Sequence, residues 1–232
     1  MKSIRNIGLL TLGVIILGFG CLENQNPSGS DNAPPTIPQM IIFKGPVSAN
    51  APESLKNSIA DFNGHLGIGY TYLSIATLSS PEVKENRVNW EVTAGGFSGT
   101  IVADKKEDGT ADWQVTVNGT DGTITYDSWV VMQGNAKLDG SSGVWHIFAE
   151  NSTELFGVFT WSTDTNEVKT GTFSTPDPNV NYEIVNNPDK SGSFAKKEAG
   201  IKIYEAIWEA TGSGSWSRYD DAGNVVDSGS WS

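Results

Sequence analysis

The side chains that could carry out catalysis are few. The chain of 232 residues contains two histidines, His65 and His146, and one cysteine, Cys21. A serine nucleophile would need one of these histidines as its base, yet no serine lies in a nucleophile-elbow pattern. The two histidines lack the spacing of metal ligands, and a single thiol cannot make a zinc site. The sequence therefore predicts no metal and no other cofactor, and it does not favour an enzyme.

Acidic residues are abundant, and they leave one enzymatic alternative open. The chain has 27 aspartates and glutamates against 15 lysines and arginines, which gives a formal charge of −12. Most acidic residues fall in turns or on polar strand positions, and the acidic turns at 164–167 and 220–224 lack the spacing of an EF-hand. A hydrolase acting on polysaccharide would need two facing carboxylates, about 5–10 Å apart, which only the fold can bring together. The negative charge argues against nucleic acid as a partner.

Residues 1–20 have the composition of a signal peptide. Lys2 and Arg5 supply the positive segment, and an apolar stretch of 13 residues follows at 7–19. Such a stretch fits an export signal and is too short to span a bilayer comfortably. Removal of the signal takes two positive charges away, so the formal charge changes from −12 to −14.

The end of this signal resembles the cleavage site of bacterial lipoproteins. Gly20 precedes Cys21, although Leu17 lies one place earlier than the leucine that is usual in that family. The resemblance implies that Cys21 is acylated and that the acyl chains are the contact with the membrane. Leu22 stands where an aspartate would signal retention in the inner membrane, which implies an outer-membrane lipoprotein of the cell envelope, periplasmic or surface-exposed. The alternative is ordinary secretory cleavage that leaves the thiol of Cys21 free.

The stretch that follows the cysteine has almost nothing to bury. Residues 22–39 are polar and contain four prolines, a composition that predicts a flexible tether. Residues 21–39 are therefore interpreted as a lipidated cysteine with its tether, and 40–232 as a single all-β domain. The alternative is that the stretch packs on the domain as a loop.

One segment has helical periodicity. Apolar residues three and four places apart predict an N-terminal helix near 52–78, with Asn50 as its cap and Pro81 as its stop. The apolar positions are Leu55, Ile59, Phe62, Leu66, Tyr70, Leu73 and Ala76. Glycines at 64, 67 and 69 weaken the helix. Either the helix lies close against another element there, or it breaks.

From Arg87 onward the pattern changes to a period of two. Val88, Trp90 and Val92 alternate with polar residues, and Asp-Gly and Asn-Gly pairs mark tight hairpins. Further short segments of this kind continue to residue 231. The sequence predicts a mainly β fold, an antiparallel up-and-down meander that forms a closed or half-open barrel of about 10–12 strands with the helix packed in or against it. Apolar runs at 129–132 and 155–161 predict strands that are covered on both faces.

The tetrapeptide Gly-Ser-Trp-Ser occurs twice at the C-terminus and predicts a hairpin. A two-residue loop at Gly223 and Asn224 would place Trp216 directly opposite Trp231. A three-residue loop with Gly223 as the bulge glycine would separate the two rings. Because a strand that ends at the terminus leaves a free edge, we expect it to pair with the first strand.

The tryptophans are interpreted as core residues, with sugar-stacking at the surface as the alternative. Trp129, for example, is followed by tryptophans at intervals of 16 residues, at 145 and 161. If an interior cavity exists, it would take an apolar ligand, and its lining would be Trp90, Trp113, Trp145, Phe159 and Trp161. If the helix fills the interior, the loops would bind an envelope protein instead.

The region from residue 50 to the end resembles uncharacterised envelope lipoproteins in which a short helix precedes a tryptophan-rich β meander. By fold alone it is also similar to the half-open barrels of periplasmic lipoprotein carriers. These resemblances imply no activity. The sequence therefore predicts a lipid-anchored envelope protein that serves as a binding or structural module, with the polysaccharide hydrolase as the alternative.

Overall fold

A computed structural model describes residues 33–38, 42–94, 96–122, 124–177 and 179–232. Within it, Pro34–Ser232 form one compact unit. The signal segment and the acylation site predicted at Cys21 lie outside the described residues, so those expectations stay predictions.

The described residues contain one α-helix, one 3₁₀ turn and thirteen strands. Helix α1 spans Glu53–Leu73, and the 3₁₀ turn Ser74–Leu78 follows it directly. The strands are β1 Glu82–Lys84, β2 Arg87–Ala94, β3 Phe97–Lys105, β4 Thr110–Asp121, β5 Ile124–Lys137, β6 Ser142–Phe148, β7 Leu155–Thr163, β8 Lys169–Thr175, β9 Val180–Asn186, β10 Gly192–Glu198, β11 Ile201–Trp208, β12 Gly214–Tyr219 and β13 Val225–Trp231.

All thirteen strands belong to one antiparallel sheet in which each strand pairs with its neighbours in the sequence. The predicted mainly β, up-and-down meander is confirmed. Its strand count exceeds the expected one because the three-residue β1 carries no alternating pattern.

The sheet does not close. Within the described chain, β1 pairs only with β2 and β13 only with β12, so the expected pairing of the last strand with the first is wrong. Strand β1 is short and its side chains are exposed. At the end of β13, the carbonyl of Ser232 instead accepts hydrogen bonds from the side chains of Ser48 and Asn50.

Helix α1 crosses one face of the sheet, here called the inner face. Near its start, the hydroxyl of Ser54 lies 3.5 Å from that of Tyr204 on β11. At its middle, the ring of Phe62 lies 6.3 Å from Phe159 on β7. At its end, Tyr72 meets Trp129 on β5 edge-on at 6.2 Å. The helix therefore spans the sheet from β11 to β5, as the prediction of a helix packed against the sheet requires.

The helix is continuous, and its start differs from the expected one. It begins at Glu53, and the carbonyl of Pro52 accepts bonds from the amides of Leu55 and Lys56. Asn50 lies three residues before Glu53, outside the N-cap position, and its side-chain amide donates to the carbonyl of Ser232. A Cβ added at Gly64 would meet no neighbouring atom within 4 Å, so close approach of another element does not explain this glycine.

The buried face of α1 belongs to the same core as the strands. Leu55, Phe62 and Leu66 are fully buried there, and Ile59 is 5% exposed. Burial of an aliphatic or aromatic side chain contributes about 1.5–3 kcal/mol. The helix thus supplies the cover that the inner face of the sheet requires.

On the inner face, tryptophans lie over glycines of the preceding strand. Gly143, Gly192 and Gly214 stand directly opposite Trp161, Trp208 and Trp231. A Cβ built on Gly192 would lie 2.5 Å from the ring of Trp208 and would also clash with the carbonyl oxygen of Val185. Only glycine leaves room for the ring.

The same three indoles also hold the hairpin turns. The Nε1–H groups donate to the carbonyls of Gly140, Lys190 and Gly212, with distances of 3.1, 3.0 and 2.6 Å from Trp161, Trp208 and Trp231. Each acceptor has a positive φ and lies just before the glycine covered by that ring. The same arrangement therefore occurs three times, and in each case one indole ring contacts a glycine of the paired strand and bonds to the hairpin turn.

The C-terminal hairpin follows the second of the two predicted registers. Trp216 pairs with Gly229, and Trp231 pairs with Gly214. Gly223 has a φ of +80° and occupies the left-handed position of a three-residue loop. Asp220 forms this turn, since its carboxylate accepts from the backbone amides of Ala222 and Asn224.

A β-bulge explains why successive residues in the run 129–132 are apolar. The β4–β5 register shifts so that Val115 faces Met132 while Thr116 faces Val130. Val131 is the extra residue, and both it and Met132 are fully buried. Two successive side chains therefore enter the core, although the outer face of β5 is not covered.

The chain enters the folded unit at one end of the sheet, here called the tether end. There the amide of Thr36 donates to the carbonyl of Leu138 in the β5–β6 turn, 2.9 Å away. A few residues further along the chain, the backbone amide and carbonyl of Lys44 each form a hydrogen bond with the side chain of Asn186. The described part of the predicted tether therefore lies against the sheet, as the loop alternative has it. The opposite end, which holds the β6–β7 turn, is called the far end.

Candidate functional site

The five side chains predicted to line a cavity are buried in the core instead of lining a described groove. Their exposed fractions lie between 0 and 4%, and they are Trp90, Trp113, Trp145, Phe159 and Trp161. Trp90 stacks on Trp113 at 5.7 Å, and Phe159 stacks on Trp161 at 5.5 Å. Phe62 of the helix packs on Phe159. Their role toward an apolar ligand stays a prediction.

A groove lies at the far end, between β5 and the β6–β7 turn. Its volume is about 670 Å³, within the range of about 300–1,000 Å³ that is usual for ligand sites. It is lined by Asp127, Ser128, Trp129, Val130, Gln133, Phe148, Asn151, Ser152 and Thr153. This groove is the candidate functional site.

The groove exists because β5 is longer than its neighbour. Strand β5 pairs with β6 only over residues 132–136, while its first half, 124–131, continues to the far end. Strand β6 ends at Phe148, and the turn 149–154 folds alongside β5. The sheet is therefore notched at this point, and the walls of the notch are the strand and the turn.

Both walls contain a residue in the left-handed conformation. Ser128 on β5 and Asn151 in the turn each have a φ of +53°, which is uncommon for residues other than glycine. The β4–β5 register shifts a second time between Val117 and Gly119, beside Ser128. Bulges and such backbone conformations are concentrated at functional sites, where they redirect side chains.

Hydrogen bonds hold these two residues in place. The amide of Ser128 donates to the side-chain oxygen of Asn118, 3.4 Å away. The side-chain amide of Asn151 donates to the carbonyl of Thr125 on β5, 3.1 Å away. The turn is thus attached directly to the strand, and the groove is built before any ligand enters.

Trp129 is the buried aromatic residue of the groove, while Phe148 is half-buried. Trp129 is 7% exposed, stacks on Tyr126 at 5.4 Å and meets Tyr72 of the helix. Its indole N–H is buried and has no hydrogen-bond partner among the residues that the structure describes, and the same is true of Trp113 and Trp145. A buried donor without a partner costs about 1–3 kcal/mol.

The lining is mostly neutral and polar. Six of its nine side chains carry hydroxyl, amide or carboxylate groups, and Asp127 is the single charged residue. Among the described residues, no histidine or lysine lines the groove, and the carboxylate of Asp127 is the one side chain of the lining that could act as a base. A second carboxylate, Glu150, accepts a bond from the hydroxyl of Tyr126, 3.0 Å away. The groove can form many hydrogen bonds, whereas the hydrolase with paired carboxylates stays a hypothesis.

His65 belongs to a separate polar cluster on the inner face. It stacks on Phe173 at 4.8 Å, and its Nε2 lies 3.8 Å from Asp61. Burial lowers the pKa of His65, against the raising effect of Asp61 and with a further lowering effect from Lys196. The hydroxyl of Tyr182 donates to Asp61, 2.8 Å away, and burial together with this bond raises its pKa. The cluster therefore favours a neutral histidine and a protonated tyrosine.

The other histidine, His146, does not belong to the lining of the groove. His146 stands opposite Gln133 on the outer face, on the strand next to the groove. In the described ranges, no group of three or more histidine, cysteine or acidic residues could hold a metal ion. In the same ranges, no helix has the length and apolar character needed to cross a membrane.

Sequence reasoning missed the groove because its residues are far apart and form no motif. Gln133 and Thr153, for example, lie on different elements and have ordinary neighbours. The run at 129–132 was the one local signal, since two successive buried residues in a strand indicate a bulge. No family model matches the chain, and no curated protein matches it either.

Proposed function

We propose that the protein is a lipid-anchored protein of the bacterial cell envelope, located at the outer membrane, and that it acts as a binding module through the groove at the far end. The observation that carries this proposal is the separation between the groove and the point where the chain enters the folded unit. An anchored binding module needs its site away from the attached end.

The distance along strand β5 gives the separation between the groove and the tether end. The end of the strand at Lys137 adjoins Leu138, which binds Thr36 at the tether end. Its residues 127–130 line the groove. Gln133 on the same strand also lines it. At about 3.3 Å per residue, the lining of the groove on β5 therefore extends from roughly 13 Å to roughly 33 Å from the tether end.

The tether itself would be short. The chain between Cys21 and Pro34, where the folded unit begins, has a reach of roughly 20 Å if it is flexible. One acyl chain binds a membrane only marginally, so stable anchoring needs more than one chain on the cysteine. The formal charge of −14 without the signal disfavours contact of the folded unit with anionic lipid. The acyl chains would then carry the membrane contact.

The anchor is tested by growing cells with radioactive palmitate. We expect label in the wild-type chain, none in Cys21→Ser, and release of that variant from the membrane fraction. The matched control is Cys21→Ser combined with Ser28→Cys, which keeps one thiol but moves it away from the cleavage site. Equal labelling of all three chains would show that the cysteine is not acylated and would overturn the proposal.

The direction of the groove is tested with single cysteines. Because acylation leaves no free thiol, Thr153→Cys at the far end and Lys137→Cys at the tether end each provide one thiol on an exposed position. In proteoliposomes, we expect a bulky maleimide to label position 153 faster than position 137. The reverse order would contradict a groove that faces away from the membrane.

A further inference from the structure

We propose that the ligand of the groove is a neutral glycan segment. This inference rests on the proposed function, because it names the ligand class of the same site. It is carried by three features of the groove: its charge, its hydrogen-bonding side chains and its interrupted strand edge.

The negative charge of the groove lining argues against anionic ligands. Asp127 is the single charged residue of the lining, and no lysine or arginine is present to pair with an anion. The formal charge of the whole chain is −12. A phosphate, sulfate or carboxylate in the groove would therefore meet a like charge without a counter-ion.

The side chains then match a ligand rich in hydroxyls. Gln133 and Thr153 are exposed on opposite walls, and each can donate and accept. The carboxylate of Asp127 accepts two or more bonds, which suits neighbouring hydroxyls of one sugar. Phe148 and Val130 are half-buried and offer apolar surface for the C–H groups of a sugar ring. A purely apolar ligand would displace water from Asp127, Gln133 and Thr153 without replacing its hydrogen bonds.

The strand edge argues against an extended peptide. A peptide that adds to a sheet needs a regular row of free amides and carbonyls on the edge strand. In the groove, Ser128 has a left-handed conformation, which breaks the regular alternation of amides and carbonyls along β5. The carbonyl of Thr125 already accepts from Asn151. The edge of β5 is thus interrupted where a peptide would have to bind, whereas a glycan relies on side chains.

The test is isothermal titration calorimetry of the full chain in detergent. The probes are neutral hexasaccharides of glucose, mannose, xylose and N-acetylglucosamine, a hexamer of galacturonic acid and a library of nine-residue peptides. We expect at least one neutral hexasaccharide to bind and the acidic hexamer to be rejected.

Variants then locate the binding. Gln133→Ala should weaken the glycan about tenfold, the loss expected for one or two hydrogen bonds. Gln114→Ala is the matched control, since it removes the same side chain from the exposed position paired with Gln133 on β4, outside the groove. Asp127→Asn should admit the acidic hexamer.

Three results would overturn the proposal. They are no binding of any neutral hexasaccharide, binding that Gln133→Ala and Gln114→Ala weaken equally, and peptide binding that Gln133→Ala abolishes. None of these results depends on acylation. Failure of the palmitate experiment would therefore remove the anchor and leave the glycan site standing, and the reverse also holds.

Discussion

Two groups of buried tryptophans show how differently the two parts of the sheet are built. On β7, β11 and β13, Trp161, Trp208 and Trp231 each cover a glycine and donate to a turn carbonyl. On β4, β5 and β6, the indole N–H groups of Trp113, Trp129 and Trp145 are buried without partners in the described part of the chain. The rings are equally buried, but only the first group satisfies its polar atom.

The groove lies in the second part. The strands β4 and β5 contain two register shifts, and Ser128 beside them is left-handed. Irregular backbone and unpaired donors reduce stability, and proteins retain them where a site needs a particular shape. The pairs β6–β7, β10–β11 and β12–β13 each contain one register shift, whereas β4–β5 contains two. The groove therefore lies beside the least regular pair of strands, away from the indoles that hold the hairpin turns.

The largest expected effect comes from filling the space under a ring of the first group. Gly192→Ala brings a methyl group against Trp208 and the Val185 carbonyl and should lower the free energy of unfolding by about 1–3 kcal/mol. Urea denaturation measures it. The control is Gly64→Ala in α1, which meets no neighbour and should raise the free energy of unfolding by about 0.5–1 kcal/mol. Equal effects of the two changes would break the comparison.

The next effect separates the two groups of tryptophans directly. Trp208 and Trp145 are each 1% exposed, so Trp208→Phe and Trp145→Phe remove similar buried volume. Only Trp208→Phe leaves the carbonyl of Lys190 without its donor. We expect it to cost about 1 kcal/mol more than Trp145→Phe in free energy of unfolding. Matching losses would mean that the indole bonds do not contribute.

A smaller effect concerns the left-handed residues of both parts. Ser128→Gly and Lys190→Gly each place glycine at a positive φ, and each should raise the free energy of unfolding by about 0.5–1 kcal/mol. Only Ser128→Gly changes a groove residue. Calorimetry should therefore show weaker glycan binding for that variant alone. A lower free energy of unfolding after either change to glycine would show that the left-handed backbone at these residues is not strained.

The smallest effect is a pH dependence at the helix. The pKa of His65 is lowered in the fold, first by burial, so the unfolded chain takes up a proton at a higher pH than the folded one. Its contribution to stability is present above pH 6.5 and is lost as the pH falls toward the folded pKa. Phe173, Phe156 and Tyr182 surround the ring, and the nearby charges are Asp61 and Lys196.

The variant His65→Phe keeps an aromatic ring against Phe173 and removes the titration. Urea denaturation of both chains between pH 5 and pH 8 should show that the wild type loses stability relative to the variant below pH 6.5. Parallel curves would show that His65 titrates alike in the folded and unfolded chains.

The sequence predicted the elements whose signals are local. Alternation at Val88, Trp90 and Val92 identified a strand, and the three- and four-residue spacing of Leu55, Ile59 and Phe62 identified the helix. Period two reports which face of a strand is buried, and turn residues report where hairpins reverse. These signals were sufficient for the meander.

Register and the groove required information that is not local. The displacement of Trp231 from Trp216 depends on whether the loop has two or three residues, and the sequence allowed both. The groove depends on the extra residue Val131 and on a turn twenty residues later. The repeated arrangement of a tryptophan over a glycine also has a pattern in the sequence, which the prediction did not use. Gly143, Gly192 and Gly214 each follow a serine, and the tryptophan that covers them comes 18, 16 and 17 residues later, respectively.

The meander has a consequence for the order in which the chain folds. Every ladder joins strands that are adjacent in the sequence, so each hairpin forms at small cost in chain entropy. The helix differs, because Asp61 must meet Tyr182, 121 residues further along. We expect the hairpins to assemble early and the docking of helix α1 onto strands β5 to β11, which are made after it, to limit the folding rate.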